Sequence, residues 1–194
     1  MVGASRKMYD VGKRVIDIAG ALIALIIATP VVLVLGMLIK IFDPGPVIFT
    51  QKRSGRSGRT FQFYKLRSLP VTTGDIPSDQ LGEVRLPWIS RFLRRSNLDE
   101  LPQFYNVLIG DMSLIGPRPA LPTQTELLLL REENGAAQLR PGLTGWAQVN
   151  AYDGMPVTRK AELDGEYYAK RSLLTDAKVM LRTFAYLTRP PPKY

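Results

Sequence analysis

The 194-residue chain has neither cysteine nor histidine. The missing imidazole excludes a Ser-His-Asp triad, a Cys-His pair and the usual general base. The missing thiol excludes a thiolate nucleophile, a disulfide and a Cys/His zinc site. Polar chemistry must therefore come from carboxylates, Lys, Arg, Ser/Thr, Tyr or a metal held by oxygen ligands. Negative charge is scarce as well. Against 26 Lys+Arg stand 17 Asp+Glu, and the net charge of +9 favours an anionic partner. Aromatics reach only 9%, with no RNA-recognition signature, zinc finger, heptad or internal repeat, so nucleic acid is a poor match. A membrane surface or a phosphorylated substrate remains.

Charge is absent altogether from Ile18 to Ile39, 22 residues in which Thr29 is the only polar side chain. As a straight helix this run would cover roughly 33 Å, enough to cross a hydrocarbon core. It is longer than the roughly 7–15-residue apolar core of a signal peptide. It is also too uniformly apolar for an ordinary buried helix. Near its midpoint, Pro30 removes the donor for the Ile26 carbonyl. Arg6, Lys7, Lys13 and Arg14 precede the run, and Lys40, Lys52, Arg53, Arg56 and Arg59 follow it. A spanning helix is oriented by positive charge on one side. Basic flanks on both sides favour a re-entrant helix-break-helix, broken at Thr29-Pro30 and returning to the same face.

Composition changes after Ile41, which divides the chain into a membrane hairpin with basic flanks over 1–42 and a folded domain over 43–194. Asp43-Pro44-Gly45-Pro46 is a turn signal. Val47-Ile48-Phe49 and Thr60 to Tyr64 read as strands around a basic hairpin tip at Ser54–Arg59. Residues 70–84 form a surface loop rich in Pro, Gly, Asp and Thr. Helical spacing predicts helices over Trp88–Arg95, with Ile89, Phe92 and Leu93 on one face, over Leu98–Ile109, over Thr123–Asn134 and within Lys160–Thr188. Arg140–Val149 reads as a Gly- and Pro-rich turn region. The fold class is α/β, mostly helical with short strands.

Carboxylates and arginines concentrate between Arg91 and Arg118. Asn97-x-x-Glu100 has the spacing of an N-terminal capping box, in which Asp99 and Glu100 complement a helix dipole. The same position is one where phosphate binds. A carboxylate there can hold Mg²⁺ or attack phosphorus, and arginines offer planar forks to phosphate oxygens. Phosphoryl transfer using Asp, Mg²⁺ and Arg suits this set. No Walker A run and no G-x-G-x-x-G is present.

Several motifs occur in a fixed order: Lys13-Arg14-x-x-Asp17, Asp43-Pro44-Gly45-Pro46, Lys65-Leu66-Arg67-Ser68 and Leu98-Asp99-Glu100-Leu101-Pro102-Gln103. Asn106-Val107-Leu108-x-Gly110-Asp111, Gly116-Pro117-Arg118-Pro119, Arg140-Pro141-Gly142-Leu143-Thr144-Gly145-Trp146 and Asp164-x-x-Tyr167 follow. In these the chain resembles the bacterial sugar transferases, monotopic phosphoglycosyl transferases that start glycoconjugate and polysaccharide assembly on a polyprenol carrier. The resemblance covers nearly the whole chain and looks like the minimal catalytic form, without the extra membrane helices of larger members. It implies transfer of a sugar-1-phosphate from a UDP-sugar to undecaprenyl (polyprenol) phosphate, releasing UMP. Asp99 would be the nucleophile of a covalent aspartyl-phosphosugar intermediate and a ligand of Mg²⁺, and Glu100 its dyad partner. Arg94 and Arg118 would bind phosphate, with Lys65, Arg67 and Gln148 shaping the same pocket.

The implied location is the bacterial inner membrane, in contact with its phospholipid, with a compact catalytic domain (43–194) on the cytoplasmic face. Three departures from the family pattern are visible: Asn97 for a usual Ser or Thr, Lys65-Leu66-Arg67-Ser68-Leu69 without the usual aromatic or Met positions, and Asn150-Ala151 for a common Asn-Gly. Neither the sugar nor the oligomeric state has a signature, although residues 70–84 and 151–160 are plausible specificity loops. The rival reading is a non-catalytic membrane adaptor with a basic lipid-binding face.

Overall fold

A computed structural model describes residues 2–69, 87–152 and 154–187. The surface loop expected over 70–84 lies outside the described residues. The chain begins with α1, Val2–Phe42, a helix of 41 residues with Pro30 inside it. The expected break at Thr29-Pro30 is not found. Thr29 Oγ1 donates to Leu25 O at 2.6 Å, and the helix runs on through the proline. Where no water is available, backbone groups are best satisfied within a helix, so an apolar sequence continues past a single missing donor.

A hairpin follows, built from β1 (Ile48–Ser54) and β2 (Thr60–Leu66), antiparallel with Gln51 opposite Phe63. Its alternation places Phe61 and Phe63 inside, as the sequence pattern predicts. Next come α2 (Trp88–Ser96) and α3 (Gln103–Ile109). Ile89 and Leu93 are buried on α2, whereas Phe92 is 47% exposed and does not share that face. The single helix expected over Leu98–Ile109 is divided: a 3₁₀ turn at Leu98–Glu100 precedes α3, because Pro102 has no N–H to continue the ladder.

The remaining elements are β3 (Ser113–Ile115), α4 (Thr125–Glu133), β4 (Gly142–Thr144), α5 (Trp146–Val149), α6 (Val157–Lys170) and α7 (Leu173–Leu187). The parallel pairing of β3 with β4 was not predicted from the turn-like composition of 140–149. Gly116 makes it possible. A Cβ there would lie 2.3 Å from Arg140 O, so only glycine lets the two backbones approach this closely. The whole is mostly helical with short strands.

One stripe of α1 is buried: Asp17, Ala21, Ala28, Leu35 and Ile39. Ala21 packs with Phe61, Phe63, Val107 and Met112, and Leu35 and Ile39 pack with Leu66, Ile89 and Leu93. The rest of its surface, including Leu22, Ile23, Ile26, Ile27, Leu33 and Met37, is apolar and exposed. It is the one described helix long and apolar enough to cross a membrane. Polar grips fix its N-terminal half. Arg14 donates to the carbonyls of Val107 (2.7 Å) and Leu108 (2.9 Å) near the end of α3. Asp17 accepts from Ser113 Oγ and Leu114 N, both at 3.0 Å.

α3 is tied in turn to β2 by Asn106, which is fully buried. Its Nδ2 donates to Gln62 O (2.6 Å), and its Oδ1 accepts from Tyr64 N (3.2 Å). The side chain thus completes the strand edge as a neighbouring strand would. Asn106→Leu leaves both backbone groups buried and unpaired. The expected loss is roughly 2–4 kcal/mol of stability in chemical denaturation of the detergent-solubilised chain. An unchanged midpoint would remove Asn106 from this role.

Candidate active site

The turn between α2 and α3 carries the carboxylate pair. Asn97 adopts a left-handed conformation (φ 54°, ψ 18°), ends α2 and reverses the chain into the 3₁₀ turn. It makes no side-chain cap bond, so the capping box suggested by Asn97-x-x-Glu100 does not form. The connection is too short to admit an extended cap residue, and asparagine tolerates the left-handed region better than most side chains. The reversal directs Asp99 inward and leaves Glu100 half-buried beside it.

Asp99 is 6% exposed and accepts a hydrogen bond from Ser68 Oγ to its Oδ2 at 3.0 Å. Burial raises its pKa above the ordinary carboxylate value, and the neighbouring Glu100 raises it further. Lys65, the Ser68 hydroxyl and Arg94 act in the opposite direction. Lys65 is held toward the end of β2, 5.2 Å from the centroid of the Phe49 ring opposite it. Burial lowers its pKa, while the charges of Asp99 and Glu100 favour its protonated form. The same lysine feels Arg94 and Arg118, so four charged side chains meet around it.

Arg118 donates to Glu100 Oε1 at 3.1 Å, with its side chain 61% exposed. Its backbone is fixed from below. The carbonyl of Arg118 accepts from Arg131 (3.0 Å), and Arg131 forms a buried ion pair with Asp164 at 2.7 Å. The Gly116-Pro117-Arg118-Pro119 segment thus presents a solvent-exposed guanidinium on an anchored backbone.

Two further residues of the implied pocket are held by other partners. Arg67 is buried and turns to Asp43, donating to its backbone carbonyl and pairing with Oδ2 at 3.3 Å. β2 ends at Leu66, so Arg67 lies just beyond the strand, where the carboxylate and carbonyl of Asp43 take its guanidinium. Gln148 lies on α5, where its Nε2 donates to Leu143 O at 3.3 Å behind Gly145. Sequence reasoning had quoted Ser68 within a motif but given it no role. Arg131 carried no signal beyond being a charge on a helix.

Among the described residues no cluster of three or more Asp or Glu side chains is placed to hold a metal. The Asp99–Glu100 pair nevertheless suits Mg²⁺, which takes one or two carboxylates and completes its shell with water and substrate phosphates.

The sequence profile of the bacterial sugar transferase family matches residues 8–190. A UDP-glucose:undecaprenyl-phosphate glucose-1-phosphate transferase of Caulobacter vibrioides is 38% identical over 92% of this chain and 70% of its own length. The protein of that name in Escherichia coli is 37% identical over 88% of this chain and 39% of its own. A UDP-N-acetylgalactosamine-undecaprenyl-phosphate N-acetylgalactosaminephosphotransferase of Aeromonas hydrophila is 37% identical over 91% of this chain and 43% of its own. The chain thus spans less than half the length of the latter two. The match takes in α1 and every element that builds the carboxylate site, and the chain belongs to the bacterial sugar transferase family.

Proposed function

We propose that the chain transfers a sugar-1-phosphate from a UDP-sugar to undecaprenyl phosphate and releases UMP. The reading is carried by one observation: a buried carboxylate, oriented by Ser68 and faced by Lys65 and Arg94. It is supported by the relatives' names, which pair a UDP-sugar with undecaprenyl phosphate. Those relatives use different sugars at similar identity, so the donor's sugar is left open.

In the first half-reaction an Asp99 oxygen attacks the β-phosphorus. The bond from that phosphorus to the bridging oxygen breaks, and UMP departs with the electron pair. The carboxylate is then esterified to the phosphosugar. In the second, an oxygen of the polyprenol phosphate attacks the same phosphorus and restores the free carboxylate, leaving the sugar on a lipid diphosphate. Ser68 orients Asp99, and Arg94 and Lys65 neutralise incoming phosphate oxygens. Arg118 is exposed enough to leave Glu100 and close on the diphosphate. Asp99 and Glu100 are the residues that would hold Mg²⁺, whose charge would stabilise the departing phosphate oxygens.

We also assign α1 to one leaflet, with both basic flanks and the catalytic residues on the cytoplasmic side of the inner membrane. The same domain packs against Ala21 and against Ile39, near the two ends of the apolar run. A helix crossing the bilayer would carry one of those contacts to the far side.

Asp99→Asn should abolish UMP release when donor and Mg²⁺ are supplied without lipid; undiminished release would sink the nucleophile assignment. Ser68→Ala should slow that donor-only release about ten-fold, the effect of losing one hydrogen bond to a charged group. Wild-type rate would leave Ser68 without an orienting role. For topology, Lys7→Cys and Lys52→Cys each introduce a single thiol into a chain that has none. Both should react with an impermeant reagent from the same side of sealed vesicles, and opposite-side labelling would overturn the one-leaflet assignment.

A further inference from the structure

A second polar cavity lies at the far end of α3. Asp99 precedes that helix and Gly110 caps its other end, so about 10 Å of helix separates the two places. The cavity has a volume of about 120 Å³ and is lined by Lys13, Arg14, Arg56, Arg140 and Arg171. Its lining carboxylates are Asp10 and Asp17, which leaves an excess of three positive charges.

Part of this charge is already matched inside the protein. Lys13 pairs with Asp176 at 3.2 Å, Arg14 holds the end of α3, and Asp17 is occupied by β3. The remainder is not. Arg140 uses Nε on Gly110 O at 2.9 Å, and its terminal nitrogens have no acceptor among the described residues. Arg171 stacks on Tyr168 at 4.3 Å and donates through Nη1 to the Tyr168 carbonyl, while its Nε is buried with no partner among them. Arg56 stands exposed at the hairpin tip with no acidic partner among them. Burial and the neighbouring charges of Arg14 and Arg56 weaken Arg140's hold on its proton, and the charges of Asp17 and Asp10 offset this only in part.

Planar guanidinium forks converging on a small cavity match a phosphate group. Position narrows its source. Lys13 and Arg14 lie one turn before the apolar run begins at Ile18, and Val11, Val15, Leu173 and Leu174 stand exposed on the elements around the cavity. This is the depth of a lipid headgroup when α1 lies in the membrane.

We propose that the cavity binds a phosphate group, supplied by an anionic phospholipid at the membrane surface. Occupancy fixes the depth and tilt of the N-terminal half of α1. The site is separate from the carboxylate pair and does not rest on its chemistry.

The test uses the full chain in neutral detergent, with Tm followed at constant ionic strength. The additions are dihexanoyl phosphatidic acid, dihexanoyl phosphatidylcholine or inorganic phosphate. Phosphatidic acid should raise Tm saturably and phosphatidylcholine should not. Arg140→Gln and Arg56→Glu should each weaken the apparent affinity about ten-fold or more. Arg56 has no partner to lose, so its variant reports on binding even where Arg140→Gln disturbs the fold. Donor-only UMP release by Arg56→Glu should stay at the wild-type rate. A saturable shift with inorganic phosphate that both variants weaken also supports the phosphate site, and without a lipid response it replaces the lipid by a soluble source. Equal shifts in wild type and Arg56→Glu, equal shifts with phosphatidylcholine, or no shift with either phosphate would overturn the proposal.

Discussion

Arg14 grips the last carbonyls of α3 while Asp17, a turn further along α1, grips the backbone of β3, and the other placements follow from these two holds. A helix that is apolar around most of its circumference has many equivalent ways to lie against a domain, because dispersion and burial are not directional. Charged hydrogen bonds to backbone groups are directional and remove that freedom. Rotation of α1 is fixed, and Ala21 and Ile39 then meet their partners in two separate clusters. α3 is placed between α1 and β2, with Asn106 completing the link. The carboxylate pair sits on the turn that enters α3, and Ser68 on the chain that leaves β2. Their mutual distance is therefore set by helix packing at some remove from either.

The reactive centre is electrostatically asymmetric. Asp99 is deeply buried and accepts from Ser68, whereas the Arg118 side chain is largely in water, held by Glu100 and, through its carbonyl, by Arg131. Such a division suits a ligand that must enter and leave. Under the proposed reaction the acid that attacks is held by a hydroxyl in a desolvated place, and the cation offered to the diphosphate stays open to solvent. A buried ion pair such as Arg131–Asp164 is expensive to place in a low dielectric. Here it holds a loop carbonyl, which a hydrophobic pair of the same volume would not do.

Much of this was legible in the sequence. The apolar run, the hairpin strands and the concentration of charge around Asp99 all follow from patterns that local physics controls. Failures came where tertiary contacts decided the outcome. Arg67, placed beside Lys65 in the implied pocket, is paired with Asp43 just beyond the end of β2, a partner 24 residues away that its local sequence does not announce. Asn97 had the spacing of a cap, but a three-residue reversal required a left-handed residue. Gly142–Thr144 had no strand signature, since its pairing depends on Gly116 lying almost on top of Arg140. The proline in α1 suggested a break. Its surroundings offer the backbone no better donor than the helix itself.

The stripe of α1 that faces the domain has a consequence for how the molecule is made. Ala21 and Ile39 belong to clusters completed by residues as late as Met112. On the ribosome α1 emerges before these partners, and at roughly 5–20 residues per second they follow several seconds later. During that interval the stripe that will end up against protein is as uncovered as the rest of the helix. An early, irrevocable burial of that stripe elsewhere would leave the later strands without their floor.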